Sequence, residues 1–234
     1  MAADVDIARL GLRRKLLRET MSHTIDLRIF QLLTARLCHD LVGPIGAASN
    51  GAELLTELGT EDAGDAVGLI ADSAGKATDR LRYYRVAYGL ATGVLKSIDD
   101  AQAFATAMFA DQRFAQEWRV TPSGQASLGD GAGKLLLNML LLAAEAMGRE
   151  GMLTITIEAG EQGTHIEILA RGEGAELDAE TIAGLRADAP IDALTPRSVQ
   201  GHFTARLAEF LGSALTVDPQ DQAVRLSCTV SSAN

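Results

Sequence analysis

One short run in the chain has residue types at a spacing that could carry group-transfer chemistry: His39-Asp40-Leu41-Val42-Gly43-Pro44-Ile45. An imidazole beside a carboxylate is a nucleophile with its own orienting group. If the acid accepts a hydrogen bond from one ring nitrogen, the lone pair of the other is free to attack an electrophile. A free imidazole titrates near about 6.5, so much of it is neutral at cellular pH and no buried, tuned site is required. Pro44 lies five residues after the histidine. A helical proline leaves the carbonyl four residues back without its donor, and here that carbonyl belongs to Asp40, so the helix is expected to bend or loosen beside His39.

The element that must position this run is a long amphipathic helix, expected from about Asp26 to Leu58. Leu27, Phe30, Thr34, Leu37, Leu41, Pro44, Ala48, Gly51, Leu55 and Leu58 follow one another in alternating steps of three and four, a heptad seam. His39 falls between Leu37 and Leu41 and therefore points away from that seam, into solvent. Gly59-Thr60-Glu61-Asp62 breaks the pattern, with Thr60 or Asp62 as a cap for a second helix. On that helix Val67, Ile70, Ala74, Ala77, Leu81, Tyr84 and Tyr88 form a matching seam, and Ala74 and Ala77 are expected to allow close helix approach. Two long helices joined by a short turn make an antiparallel hairpin. Such a hairpin leaves too much apolar seam uncovered to stand alone, so two copies are expected to pair as a homodimeric four-helix bundle.

The chain beyond the linker at Gly89 to Ser97 has a different rhythm. Helices are expected near Asp99 to Phe114, Gly133 to Met147, Ala179 to Arg186 and Gly201 to Leu211. Strands are expected at Trp118 to Thr121, Met152 to Glu158, Thr164 to Ala170, Ala214 to Asp218 and Ala223 to Val230. That order reads as an α/β sandwich, giving a chain of the α + α/β class. The expected organisation is an extension over 1–24, a hairpin over 25–92 and a second domain over 97–232.

Composition narrows the classes further. With 234 residues, 47% of them hydrophobic, the chain can bury a sizeable core. The 21 basic residues against 31 acidic ones, a net charge of −10, argue against nucleic-acid binding, which needs concentrated Lys and Arg. No apolar stretch approaches the roughly 20 residues of a membrane span, and the two cysteines, Cys38 and Cys228, make no disulfide framework. Both points suit a cytoplasmic protein. Cys38 reads as a buried or half-buried small apolar residue. Arg9, Arg13, Arg14, Lys15 and Arg18 make a basic stretch that reads as a loosely held extension. His23, His165 and His202 have no metal-ligand spacing, and no bound metal is expected. Gly129-Asp130-Gly131-Ala132-Gly133-Lys134-Leu135 is one residue short of a phosphate-cradling P-loop and has Leu135 where a Ser or Thr would bind magnesium.

The seven-residue run around His39 resembles the H-box of sensor histidine kinases, in which a histidine, an acid, an aliphatic residue, two variable ones, a proline and an aliphatic residue carry the phosphoryl group. The second domain resembles the Bergerat-fold ATP-binding domain of the same kinases. There the resemblance implies an N-box asparagine that holds magnesium, and this chain has Leu142 in its place within Asn138-Met139-Leu140-Leu141-Leu142-Ala143. It also implies an Asp-x-Gly-x-Gly box, and this chain reads Ala170-Arg171-Gly172-Glu173-Gly174, with alanine at the adenine-binding aspartate. The later phosphate loop keeps only Gly201 before its helix. The domain is therefore expected to be a degenerate relative that binds no ATP.

Taken together, residues 22 to 230 resemble the ChpT family of histidine phosphotransferases. That resemblance implies a phosphorelay: His39 takes a phosphoryl group from the aspartate of one receiver domain and passes it to another, with Mg2+ supplied by the receiver. It further implies the hybrid kinase CckA as donor and CtrA and CpdR as acceptors. Asp40 would orient or deprotonate His39, and Arg36, three residues before it, either neutralises phosphate oxygens or is a solvated charge. Gly43 stands where bifunctional kinases place Thr or Asn, which implies little phosphatase activity. The alternatives are an autophosphorylating histidine kinase with a divergent ATP site and a non-catalytic dimeric binding module.

Overall fold

The computed structural model describes residues 26–58, 63–89, 93–121, 128, 130–148, 150–160, 163–186 and 188–231. The 1–24 extension, His23, the Gly59-to-Asp62 turn with its caps, and Gly129 of the glycine-rich run lie outside the described residues.

Helix α1 spans Leu27–Leu58 and α2 spans Ala63–Ala87, packed along each other as a hairpin. The seam is occupied from Leu37 to Leu55, with Pro44 and Gly51 buried on it. The close approach sits at Gly51, where an added Cβ would lie 2.8 Å from Ile70 Cγ1 and 3.3 Å from the Ala66 carbonyl oxygen. Ala74, expected to serve this purpose, is exposed instead. Leu27, Phe30, Val67 and Leu81 also belong to the expected seam yet are exposed, as are Val42 and Ile45. A two-helix hairpin covers only one side of each helix, so among the described residues the remaining apolar positions have nothing to pack on.

The last turns of α2 face elsewhere. Tyr83, Tyr84, Val86 and Ala87 are buried in the same core cluster as the second half of the chain. That half begins with α3, Ile98–Met108, whose first turn is closed by a capping box: Ser97 Oγ accepts from the Asp100 amide, and the Asp100 carboxylate accepts from the Ser97 amide. The helix ends six residues earlier than expected. Phe109 and Phe114 pack on each other with ring centroids 5.5 Å apart, and Phe114 opens β1, Phe114–Val120, where burial alternates residue by residue.

Helix α4, Asp130–Ala146, is apolar on nearly every side because it is enclosed on nearly every side. Leu135, Leu136, Leu137, Met139, Leu140, Leu142 and Ala143 are all buried. Strands β2, Gly151–Gly160, and β3, Gly163–Gly172, form an antiparallel pair. Helices α5, Ala179–Leu185, and α6, Val199–Phe210, follow, with a short 3-10 turn at Ile191–Ala193 between them. Strands β4, Thr216–Gln220, and β5, Ala223–Val230, complete a five-stranded sheet of order β1-β2-β3-β5-β4. Only β1 and β2 run parallel, which is where α4 crosses over. Leu153, Ile155, Ile157, Ile166, Ile168, Val224 and Leu226 supply the buried face. The fold is thus α + α/β, a helical hairpin joined to a two-layer sandwich.

Candidate active site

His39 projects from the middle of α1 with 88% of its side chain exposed. Its Nδ1 lies 3.2 Å from Asp40 Oδ1, so the carboxylate accepts the Nδ1 proton and the Nε2 lone pair is left for chemistry. Beside it opens a cleft of about 430 Å3 lined by Ala35, Arg36, His39, Asp40, Pro196 and Arg197. Pro196 and Arg197 come from the loop before α6, so the wall opposite the histidine is supplied by the second half of the chain. Arg197 Nε holds Asp178 Oδ2 at 2.9 Å, with the Arg197 side chain 70% exposed.

α1 is assigned as continuous helix through Pro44. The carbonyl that Pro44 orphans is met from α2: Arg80 Nη1 donates to the Asp40 oxygen at 2.7 Å. Tyr84, one turn further along α2, donates its phenol proton to Asp40 Oδ2.

Arg36 is placed at the cleft and is not a freely solvated charge. Its Nη2 donates to Glu145 Oε1 at the end of α4, which ties the hairpin to the sandwich, and its side chain is 16% exposed. Burial works against the Arg36 charge, but Glu145, Tyr88, Tyr84 and Asp40 outweigh it and raise its pKa. Burial pushes the Glu145 carboxyl from its ordinary 4.5 up to about 7, against the pull of Arg36. A carboxyl raised in the folded state takes up a proton on folding between those two values. Stability should therefore fall as the pH rises from about 4.5 to about 7 and level off above it. Glu145→Gln, which cannot titrate, is expected to remove that part of the slope when thermal midpoints are compared across the range.

The second half of the chain holds its polar residues in a different arrangement. Asn138 is fully buried, and its Nδ2 donates to the Ala87 oxygen at 2.8 Å and to the Lys134 oxygen at 2.9 Å. Gln200 Nε2 donates to Asn138 Oδ1 at 3.1 Å, and the Tyr88 phenol donates to Gln200 Oε1 at 2.6 Å. The side chain of Asn138 is thus consumed in joining α2, α4 and α6. Leu142 and Ala170 are fully buried in the apolar core, offering no oxygen to a metal and no acceptor to a base. These residues do not fit a nucleotide with its magnesium ion. The two glycines of the Asp-x-Gly-x-Gly-like run have a local reason to be there: a Cβ at Gly172 would lie 2.1 Å from the Glu150 oxygen, and Gly174 has φ +72°. Gly131, Gly133 and Lys134 of the glycine-rich run lie on α4, where Lys134 Nζ donates to the Gly89 oxygen.

A sequence profile described as "Histidine phosphotransferase C-terminal domain" matches residues 98–223, more than half of the chain. The chain belongs to the histidine phosphotransferase family. Protein phosphotransferase ChpT of Brucella abortus (strain 2308) is 35% identical over 191 residues, covering 80% of this chain and 88% of that protein. A solved structure of a bacterial phosphotransferase superposes with a TM-score of 0.75 at 32% identity, covering 88% of this chain and 98% of that one. Phosphotransfer is the chemistry of a histidine phosphotransferase, and among the histidines described here His39 alone is open to a partner with a carboxylate on its other nitrogen. His202 is buried, with Nδ1 3.2 Å from the Gly184 oxygen, and burial lowers its pKa. His165 Nδ1 pairs with Thr229 Oγ1 at 3.1 Å on β3.

Cys38 is exposed beside His39, contrary to the expectation of a buried apolar residue, because it falls on the same outward face of α1. Cys228 is buried as a small apolar residue, and burial raises its thiol to about 12. Among the described residues no group of three or more His, Cys, Asp or Glu side chains stands close enough to hold a metal ion. No described helix is long and apolar enough to cross a membrane. Sequence reasoning missed Arg80, Tyr84, Glu145, Pro196 and Arg197. Glu145 left a signal, as the one charged residue in the second half of an otherwise apolar helix, whereas the Pro196-Arg197 loop left none.

Proposed function

We propose that the protein is a phosphorelay histidine phosphotransferase in which His39 is loaded by the aspartyl phosphate of one receiver domain and unloaded by the aspartate of another. The observation that supports this most strongly is the exposed imidazole lining the cleft with Nδ1 on Asp40, which leaves the lone pair to Nε2. In the forward step Nε2 forms a bond to phosphorus while the acyl phosphate P–O bond breaks and its electron pair leaves on the receiver carboxylate. The ring keeps its Nδ1 proton and becomes an imidazolium whose charge faces Asp40. Presenting the nucleophile in line is most of the protein's share in such a transfer. Magnesium, which offsets the phosphate charge, belongs to the receiver.

In this reading the second domain takes no ATP, which is supported by buried Leu142 and Ala170 and by the engaged amide of Asn138. Two copies pair through the exposed apolar residues of the hairpin, among them Val42, Ile45, Val67 and Leu81. The partners are receiver domains of response regulators and of a hybrid histidine kinase, with CckA, CtrA and CpdR as the expected set, in the cytoplasm. Incubation of the purified chain with labelled ATP and magnesium, and no receiver, is expected to leave it unlabelled. Label on His39 under those conditions would establish the autophosphorylating kinase instead.

Gly43 is exposed on α1, and beyond its chain neighbours and the helix's own backbone a Cβ added there meets nothing within 4 Å. Gly43→Ala gains about 1 kcal/mol of helix propensity but sets its Cβ against Pro44 Cδ, which disfavours helical backbone before a proline, so its denaturant midpoint should stay close to that of the parent.

A further inference from the structure

Asp40 is held from α2 at two points. Tyr84 donates its phenol proton to Oδ2, while Arg80 Nη1 donates to the backbone oxygen at 2.7 Å. Each of these groups is fixed in turn. Arg80 Nη2 is paired with Asp111 Oδ2 at 3.1 Å just beyond α3. The Tyr84 ring is stacked on Tyr88 with centroids 5.1 Å apart and set edge-on to Tyr83 at 6.3 Å. Burial, with Tyr88 and Asp40 adding to it, pushes the Tyr84 phenol far above its ordinary pKa, so it remains a donor throughout the working pH range. With Oδ2 engaged by Tyr84, Oδ1 is the carboxylate oxygen directed at His39. Pro44 explains why Arg80 can reach the backbone: the Asp40 oxygen has no helical N–H to accept from.

We propose that Tyr84 and Arg80 are positioning residues for phosphotransfer: together they fix the Asp40 carboxylate so that His39 is held with its proton on Nδ1 and the Nε2 lone pair aimed into the cleft. The proposal rests on the relay reading above. Neither residue touches the phosphoryl group; both act through Asp40. Without the Tyr84 hydroxyl the carboxylate can rotate and offer either oxygen, and the imidazole loses the single acceptor that selects its tautomer.

Tyr84→Phe keeps the aromatic packing and deletes one oxygen, so it is the variant to test in the full chain. The rate constant for transfer from a saturating phosphorylated receiver is expected to fall about tenfold, with the half-saturating receiver concentration unchanged. The nitrogen-15 signals of the His39 ring should move from the Nδ1-protonated tautomer towards a mixture of both. Because the effect runs through Asp40, Asp40→Asn combined with Tyr84→Phe should be no slower than Asp40→Asn alone. Arg80→Lys, which can still donate to the carbonyl, should retain the parent tautomer, and Arg80→Ala should lose it. An unchanged rate and tautomer in Tyr84→Phe, or a double variant whose losses multiply, would overturn the proposal. The ring signals require no receiver. A tautomer shift in Tyr84→Phe alongside a parent protein that transfers nothing would uphold the positioning role and place the failure in the relay reading. Should Tyr84→Phe fail to fold by circular dichroism, the Arg80→Ala and Arg80→Lys pair decides alone, and identical tautomers in the two would overturn the proposal.

Discussion

His39→Ala is expected to reduce phosphoryl transfer between receivers by about 10⁴-fold or more, to background, because it removes the atom that forms the covalent bond. Stability should be unaffected, within about 0.5 kcal/mol, since 88% of the side chain is already in solvent and its polar contact among the described residues is to the neighbouring Asp40. That combination separates a chemical role from a structural one. A folded, fully stable His39→Ala protein that still relays phosphate would favour the binding-module alternative, in which receivers meet on the hairpin without a covalent intermediate.

The second large effect falls on stability. Asn138→Leu substitutes an apolar side chain of similar size in a fully buried place, leaving the Ala87 oxygen without the Nδ2 donor and Gln200 Nε2 without Oδ1. Gln200 retains the Asn138 backbone oxygen at 3.2 Å and Thr204 Oγ1 at 3.1 Å, so one buried acceptor bears most of the loss. The cost should be roughly 2–4 kcal/mol, with one acceptor orphaned and a connected network broken. Chemical denaturation should show a lower midpoint at an unchanged slope. Because the network spans α2, α4 and α6, the same variant should loosen the hold of the sandwich on the hairpin. Wild-type stability would mean that water replaces the amide and that the network is not what joins the two halves.

The expectations from sequence were most accurate where a period was long and continuous. α1 was legible to within a residue because ten seam positions repeat in threes and fours, and the exposure of His39 followed from its place between Leu37 and Leu41. β5, Ala223–Val230, was legible from strict alternation. The α3–β1 boundary was not, because Phe109 and Phe114 continue an apolar helical pattern across a turn that only tertiary packing imposes. In the site, the His39-Asp40 pair was legible from adjacency alone. The residues that govern Asp40 come from 40 and 44 positions away in the chain, and Tyr84 sat on the expected seam as an ordinary packing residue. Arg36 was read as a choice between phosphate contact and solvated charge. Neither reading anticipated Glu145: its charge stands out in an apolar helix, but nothing local to Arg36 points to a partner 109 residues distant. Leu142 and Ala170 were legible as missing ligands, while the structural employment of Asn138 required the fold.

A phosphoryl group that passes between two aspartates by way of His39 must reside on the imidazole in between, where it can be caught. A receiver domain phosphorylated on its aspartate is mixed with the protein and magnesium, then a second receiver is added, and the label is followed with time. Acid-labile, alkali-stable label should appear on the protein at His39, mapped by peptide, and then decay as the second receiver gains it. Label that passes between receivers without ever residing on His39, or that settles on another residue, would show that His39 is not the transit point.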